Sequence, residues 1–194
     1  MNELGSGLSA AEHHEDALAV QETELATRRR LGDSEDAILG VQANLANSYQ
    51  MLGRFEEALR MRRDIYSGTL KLEGAEHEHA ILAAFNYASS LLQLKRFEET
   101  KSLMLRTIPA ARRNLGESHD LTLSIRSIYA SALHRDTCAT LDNLREAVTT
   151  LEDTNRTARR VLGGQHPTTK DIERDFRNAR AKLNARETPL PGTA

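Results

Sequence analysis

A regular 42-residue period is the feature that most limits how this 194-residue chain can fold. Two equal intervals separate Gly32, Gly74 and Gly116, and a leucine precedes the first and the third of them. Residues 54–58 have the sequence Arg-Phe-Glu-Glu-Ala, and residues 96–100 repeat it as Arg-Phe-Glu-Glu-Thr. Because neighbouring repeats bury their apolar faces against each other, the period predicts a solenoid of similar units.

The last interval is longer by five, since the equivalent glycine after Gly116 is Gly163. Ala130 still keeps the register of the earlier repeats, whereas residues 144–147 match the turn sequence only after the same shift. We therefore expect an insertion near His134–Asn143, where the first helix of a repeat turns into the second. We also expect this turn to protrude from the array.

Each repeat is predicted to contain two helices. Leu45, Tyr49 and Leu52 are spaced as one apolar face of a helix, and Gly53 is a typical residue to end it. The predicted fold class is therefore all-α, an α-solenoid of antiparallel helix pairs. The predicted helices lie near 2–11, 14–30, 36–52, 55–71, 78–94, 97–113, 119–134, 140–161 and 167–186.

Composition argues against several functions. The net charge of −2 provides no general field for nucleic acid, so we expect no nucleic-acid partner. No apolar run is long enough for a membrane span, so we expect no membrane partner. The sequence has one cysteine, Cys138, which fits a reducing compartment. We expect a cytoplasmic protein.

The segment 44–59, Asn-Leu-Ala-Asn-Ser-Tyr-Gln-Met-Leu-Gly-Arg-Phe-Glu-Glu-Ala-Leu, resembles the tetratricopeptide motif. It has a small packing residue at Ala46, then an aromatic residue, a turn glycine and a second packing alanine. The 42-residue period, with polar turns such as 163–167, is similar to that of kinesin light chains. The common tetratricopeptide period is shorter, about 34 residues. The resemblance covers about residues 4–186 and implies a right-handed superhelix.

One array over residues 1–187 is predicted, with about four helix pairs and a disordered tail at 188–194. Glycines weaken the first helix, so the first pair is expected to be worn or truncated. Either residue 1 is a truncation point within a longer array, or this end packs on another chain. The segment 167–186 begins with proline, is rich in charged residues, and is predicted to be a C-terminal capping helix.

The histidines and the cysteine are the candidates for chemistry. His77, His119 and His166 recur at equivalent turns, which lie about 10 Å apart in a solenoid, too far to share one zinc ion. We expect them to cap helices or mark turns. Cys138 has His134 nearby but no glycine-rich turn that could form an oxyanion site. We predict no catalytic residues, no metal, no cofactor and no enzymatic activity.

The resemblance implies that the first helix of each pair lines the concave groove of the superhelix. Asn44 and Asn86 lie where kinesin-light-chain-like arrays use asparagine to hold a peptide backbone, and an amide can both donate and accept hydrogen bonds. The groove has little charge, so an internal peptide segment is expected rather than a C-terminus. The predicted peptide-binding residues are Asn44, Asn47, Met51, Asn86, Ser89, Gln93, Ser131 and Arg135. The alternative is a merely solvated face.

The predicted function is a non-catalytic scaffold or adaptor that binds a peptide segment of another protein in its concave groove. The alternative is a structural subunit of a larger stable assembly, which would use its convex face or its ends. An enzyme and an RNA-binding array are disfavoured by the residues discussed above.

Overall fold

The computed structural model describes residues 14–188, and within them the chain forms eight α-helices and no strand. Helices account for 83% of these residues, which confirms the predicted all-α fold. The helices are α1 (His14–Leu31), α2 (Glu35–Met51), α3 (Phe55–Glu73), α4 (Glu78–Gln93), α5 (Phe97–Asn114), α6 (Asp120–Arg135), α7 (Leu141–Val161) and α8 (Pro167–Glu187). The predicted helix near 2–11, and the predicted tail beyond residue 188, lie outside the described residues.

The glycines that mark the period end helices in the left-handed backbone region. Gly74, which follows α3, has a φ of 84°, and Gly116 and Gly163 have φ values of 93° and 85° at the equivalent turns. A side chain at such a φ costs roughly 1–2 kcal/mol, so glycine is strongly preferred after a helix that ends this way. This requirement explains why the period is visible in the sequence.

One turn departs from this rule. Gly53, between α2 and α3, has a φ of 73°, and its equivalent in the next repeat is Lys95, between α4 and α5, with a φ of 60°. Within residues 14–188, Lys95 is the one non-glycine residue with a positive φ. The turn between α4 and α5 therefore holds a side chain in a conformation that favours glycine.

We expect Lys95→Gly to raise the free energy of unfolding by about 0.5–1 kcal/mol, because glycine adopts this φ without steric cost. Gly53→Ala at the equivalent turn is the matched reverse change and should lower it by a similar amount. Urea denaturation followed by circular dichroism measures both. A Lys95→Gly variant no more stable than the parent chain would contradict strain at this turn.

The chain divides into two compact units, residues 1–90 and 91–194. In the first unit, α1 packs on α2 and α2 packs on α3. Leu18, Leu45, Tyr49 and Ala58 form a buried apolar cluster there. The small residue Ala46 is also buried, as expected of a position where two helices approach closely. One continuous array over residues 1–187 stays a prediction.

In the second unit, α5, α6, α7 and α8 pack in sequence, and α8 also contacts α6. Leu123 on α6 and Leu144 and Leu151 on α7 are fully buried. Ile172 and Ala179 of α8 are buried as well. The helix predicted to cap the array therefore contributes an apolar side to the core of this unit, and most of its charged residues are exposed.

The five extra residues of the last interval are divided between a linker and a helix. The linker between α6 and α7 spans 136–140, whereas the equivalent linker between α4 and α5 spans 94–96. The other three residues extend α7 at its start, because Leu144, not Leu141, is equivalent to the first residue of α5.

The predicted protrusion of this turn is wrong. Lys182 Nζ of α8 donates hydrogen bonds to the carbonyl oxygens of His134 and Asp136, at 2.7 and 2.8 Å, and Ala139 is buried. The last carbonyls of a helix lack partners within the helix, and a lysine side chain can satisfy them. The longer linker is therefore held against α8, while Ala130 and Ala147 remain fully buried.

Candidate functional site

The groove residues predicted in the first unit lie on the solvent side of α2 and α4. Asn47 and Asn86 are exposed, Met51 is 65% exposed, and Asn44 is half-buried. Leu45, in contrast, is buried in the core between the helices. The helical spacing thus separates a packed side of α2 from an open side that carries amides and a thioether.

The open side of α4 continues the same pattern. Leu82 is 44% exposed and lies one turn before Asn86. Ser89 is half-buried, and its hydroxyl donates a 2.9 Å hydrogen bond to the carbonyl oxygen of Phe85 in its own helix. The Ser89 hydroxyl is therefore engaged by the backbone, whereas Leu82 and Asn86 face solvent.

Arg62 of α3 links the first helices of two successive repeats. Its Nη1 donates to Ser90 Oγ of α4 at 2.6 Å, and its Nη2 donates to Asn47 Oδ1 of α2 at 3.4 Å. Burial lowers the pKa of the Arg62 guanidinium, which nonetheless remains charged at neutral pH. The contact orients the Asn47 amide with its NH₂ group directed away from Arg62. Sequence reasoning missed Arg62 because the contact joins three separate helices.

The two predicted site residues of α6 differ in exposure. Arg135 is exposed. Gln93, the last residue of α4, is also exposed, and like Arg135 it belongs to the second unit. Ser131 is only 1% exposed, and its Oγ donates to Asp175 Oδ2 of α8 at 2.6 Å. Helix α8 therefore covers that side of α6, and the Ser131 hydroxyl is not accessible to solvent.

Two of the three recurring histidines cap helices as expected. Nδ1 of His119 accepts a 3.2 Å hydrogen bond from the backbone N–H of Leu121, and Nδ1 of His77 accepts one from His79 at 3.3 Å. His166 makes no such bond, and its Nδ1 is buried without a partner among the described residues. His77 and His119 therefore cap helices, whereas His166 marks the turn before α8 without a capping bond from its side chain, and the expectation allowed for both roles.

Cys138 and His134 lie in different environments. Cys138 is exposed, and its backbone N–H donates to Asp136 Oδ1 at 2.8 Å. His134 is 4% exposed, and burial lowers its pKa to about 4, so the imidazole is neutral at pH 7. A solvent-exposed thiol and an interior imidazole do not share one oriented site of the kind that activates a nucleophile.

The exposed side of α1 has a shallow depression near its C-terminal end. It is lined by Glu22, Thr23, Ala26, Thr27 and Arg30. Leu31, the last residue of α1, is exposed beside it. The predicted contact of the N-terminal end with another chain or with further repeats stays a prediction.

The chain is a repeat protein built from helical hairpins. Its consecutive helices are joined by short turns, and glycines recur at a constant interval at positions 32, 74 and 116. Residues 38–79 match the family model of the tetratricopeptide repeat. The chain thus contains a tetratricopeptide repeat, and the resemblance predicted from the sequence is confirmed. Among the described residues, no helix is both long and apolar enough to cross a membrane.

Solved structures with kinesin-light-chain-like repeats have a similar fold. A protein from Podosopora anserina, described as a putative kinesin light chain with nearly identical tetratricopeptide-like repeats, superposes with a TM-score of 0.76 at 20% identity. A variant of it gives 0.78 at 19% identity, and in both cases the match covers 96% of this chain and 86% of that one. BtubC (BKLC) from P. vanneervenii gives 0.62 at 15% identity, covering 98% and 81%.

A search of curated proteins found no match. The structural similarities, all at or below 20% identity, establish the fold. Tetratricopeptide arrays serve in general as scaffolds for protein–protein interaction, and the fold suggests this general role for the present chain.

Proposed function

We propose that this chain is a scaffold that binds an extended internal segment of a partner protein. The binding surface, here called the peptide face, consists of Asn44, Asn47 and Met51 on α2 and Leu82 and Asn86 on α4. The observation that carries the proposal is the equivalence of Asn44 and Asn86, which lie one period apart on the open sides of successive first helices.

The chemistry of the peptide face suits an extended backbone. A primary amide offers two N–H donors and a carbonyl acceptor, so it can pair with a peptide group whatever the side chain of that residue. Met51 and Leu82 are exposed apolar residues beside these amides, and a flexible thioether adapts to different side chains. The face thus combines backbone recognition with weakly selective apolar contacts.

The charge of the peptide face favours an internal segment. None of its five residues is ionisable, and Arg62, which contacts Asn47, is also bonded to Ser90. A terminal carboxylate is usually clamped by several lysines and arginines, because a buried charge requires paired partners. The net charge of −2 likewise favours a protein over a nucleic acid as partner.

The exposed thiol of Cys138 supports the proposed cytoplasmic location, since a reducing compartment keeps such a residue free.

The competing proposal is a structural subunit that contacts its assembly through the convex face or the ends. Exposed leucines outside the peptide face, such as Leu31 and Leu105, support that alternative.

The double substitution Asn44→Ala with Asn86→Ala should weaken binding by about 1–3 kcal/mol, because peptide groups buried in the complex would lose their partners. The partner is first identified by cross-linking and affinity capture from native extract, and calorimetry then compares the variants at two salt concentrations. Only a modest dependence on salt is expected, because few charges are paired.

Asn178→Ala on the exposed side of α8 is the matched control, since it removes one amide outside the peptide face. It should leave binding unchanged, as should Arg63→Ala on α3. Full affinity in the double variant, together with loss of binding in Arg63→Ala, would reject the peptide face and favour the structural subunit.

A further inference from the structure

Three metal-binding side chains converge at the turn between α3 and α4. Glu73 is the last residue of α3, His77 lies in the turn, and His79 is in the first turn of α4. Glu73 Oε2 is 2.9 Å from His77 Nδ1, and Glu73 Oε1 is 3.0 Å from His79 Nδ1. One carboxylate therefore lies between the Nδ1 atoms of two imidazoles.

The local backbone produces this arrangement. Gly74 has a φ of 84°, so the chain reverses directly after Glu73 and brings residues 77–79 back beside the end of α3. The two rings lie edge to face, with centroids 4.8 Å apart. The ligand atoms of all three residues lie within 4.8 Å of one another.

We propose that Glu73, His77 and His79 bind a divalent transition-metal ion of the zinc type. Imidazole nitrogen and carboxylate oxygen are ordinary zinc ligands, with bonds of about 2.0–2.2 Å that place tetrahedral ligand atoms about 3.3–3.6 Å apart. The observed separations of 2.9 Å to at most 4.8 Å surround this range. All three side chains are exposed, so small rotations complete the geometry. Water would supply the fourth ligand.

The hydrogen bonds of the turn also favour a metal ion. His77 Nδ1 lies close to Glu73 Oε2, which requires a proton on the nitrogen, yet it also faces the backbone N–H of His79 at 3.3 Å, which requires a lone pair. One ring nitrogen cannot do both. A metal ion accepts electron pairs from both imidazoles and from the carboxylate, and its bonds replace the two carboxylate–imidazole contacts and the contact with the His79 N–H.

The charge around the turn also favours a cation. Residues 73–79 have the sequence Glu-Gly-Ala-Glu-His-Glu-His, with three glutamates and no lysine or arginine. A cluster of negative charge raises the local concentration of cations and attracts them before ligands are exchanged.

The next repeat provides an internal control. The positions equivalent to Glu73, His77 and His79 are Leu115, His119 and Leu121. His119 caps its helix in the same way as His77, but leucines replace the other two ligands. The histidine alone is thus explained by capping, whereas the complete triad belongs to one turn. A comparison of equivalent histidines between repeats does not reveal this triad, because its third member, Glu73, lies at the end of the preceding helix.

Binding would connect the end of one helix pair to the start of the next. A metal ion held by α3, the turn and α4 stabilises the folded arrangement of this turn to the extent that it binds the folded chain more tightly than the unfolded one, and the effect grows with the logarithm of the metal concentration. This property is independent of the peptide face, which lies on other residues of α2 and α4.

The test is titration of the full chain with ZnCl₂ alone, monitored by isothermal calorimetry, with the thermal unfolding midpoint as a second measurement. We expect one site that each of the variants Glu73→Gln, His77→Ala and His79→Ala weakens about tenfold or more, the scale expected for losing one of three ligands. These variants should also lose the zinc-dependent rise in the unfolding midpoint.

His119→Ala is the matched control and should bind zinc as the parent chain does. A His13→Ala, His14→Ala variant is the second control, because adjacent histidines elsewhere in the chain can bind zinc adventitiously. Circular dichroism checks that every variant keeps its helix content. Less than tenfold weakening in either His77→Ala or His79→Ala overturns the proposal, as does loss of the site in the His13 and His14 variant.

Discussion

Replacing Leu151 by alanine is expected to lower the free energy of unfolding by about 2–5 kcal/mol. Leu151 is 0% exposed on α7, and α7 packs against both α6 and α8. Truncation removes apolar area from the core and leaves a cavity that helices fixed on both sides cannot close. Urea denaturation at pH 7, followed by circular dichroism, measures the loss as a decrease in the midpoint concentration.

Leu105→Ala is the matched control for this prediction. Leu105 belongs to the same compact unit, on α5, and is 55% exposed, so the same substitution should change the free energy of unfolding by less than about 1 kcal/mol. A similar loss in both variants would show that the packed side of α7 has been assigned incorrectly.

The second large effect is a loss of stability in acid that depends on His134. Burial lowers the pKa of this histidine to about 4; Asp175 raises the pKa, while Arg135 and Lys182 lower it further. The unfolded chain has an ordinary histidine, with a pKa near 6.5. Between these values the unfolded state binds a proton that the folded state does not, so stability falls as the pH falls.

Above pH 6.5 His134 is mostly neutral in both states and costs the folded protein little stability. Between pH 7 and pH 4.5 its effect should lower the free energy of unfolding by about 2 kcal/mol. His134→Leu should remove this part of the pH dependence. The substitution is expected to fold, because His134 Nε2 is buried without a partner among residues 14–188 and Lys182 binds the backbone carbonyl rather than the ring.

The measurement is the free energy of unfolding at pH 7 and at pH 4.5 for the parent chain, His134→Leu and the exposed-site control His119→Ala. Carboxylates throughout the chain also titrate in this range, so the quantity that matters is the difference between variants. Parallel pH profiles for the parent chain and His134→Leu would show that the folded protein protonates His134 as easily as the unfolded one.

Local physical rules made the helices and turns predictable. The helix bounds predicted from spacing agree closely with the structure over the described residues, because apolar residues at i, i+4 and i+7 can be buried together only in a helix. The glycines at 32, 53, 74, 116 and 163 all have positive φ, a requirement that can be recognised without knowing what packs nearby. A repeated unit then implies a repeated fold.

The candidate site was only partly predictable, because exposure depends on what a neighbouring element covers. Asn47 and Asn86 are exposed as their spacing predicts, but Ser131, on the corresponding helix of a later repeat, is buried, since α8 lies over it. The conformation of Lys95 followed its repeat position, although its residue type gave no sign of it.

The sequence by itself determined the repeat, the helix pairs, the turns that separate them and the tetratricopeptide class, because each depends on residues close together in the chain. Only the tertiary structure decided which polar residues meet. Arg62 reaches Asn47 and Ser90 across three helices, and Lys182 of α8 caps the end of α6, from which the whole of α7 separates it in the chain. Such contacts depend on how helices stack, and side-chain spacing within one helix carries no information about the distance to a residue on another.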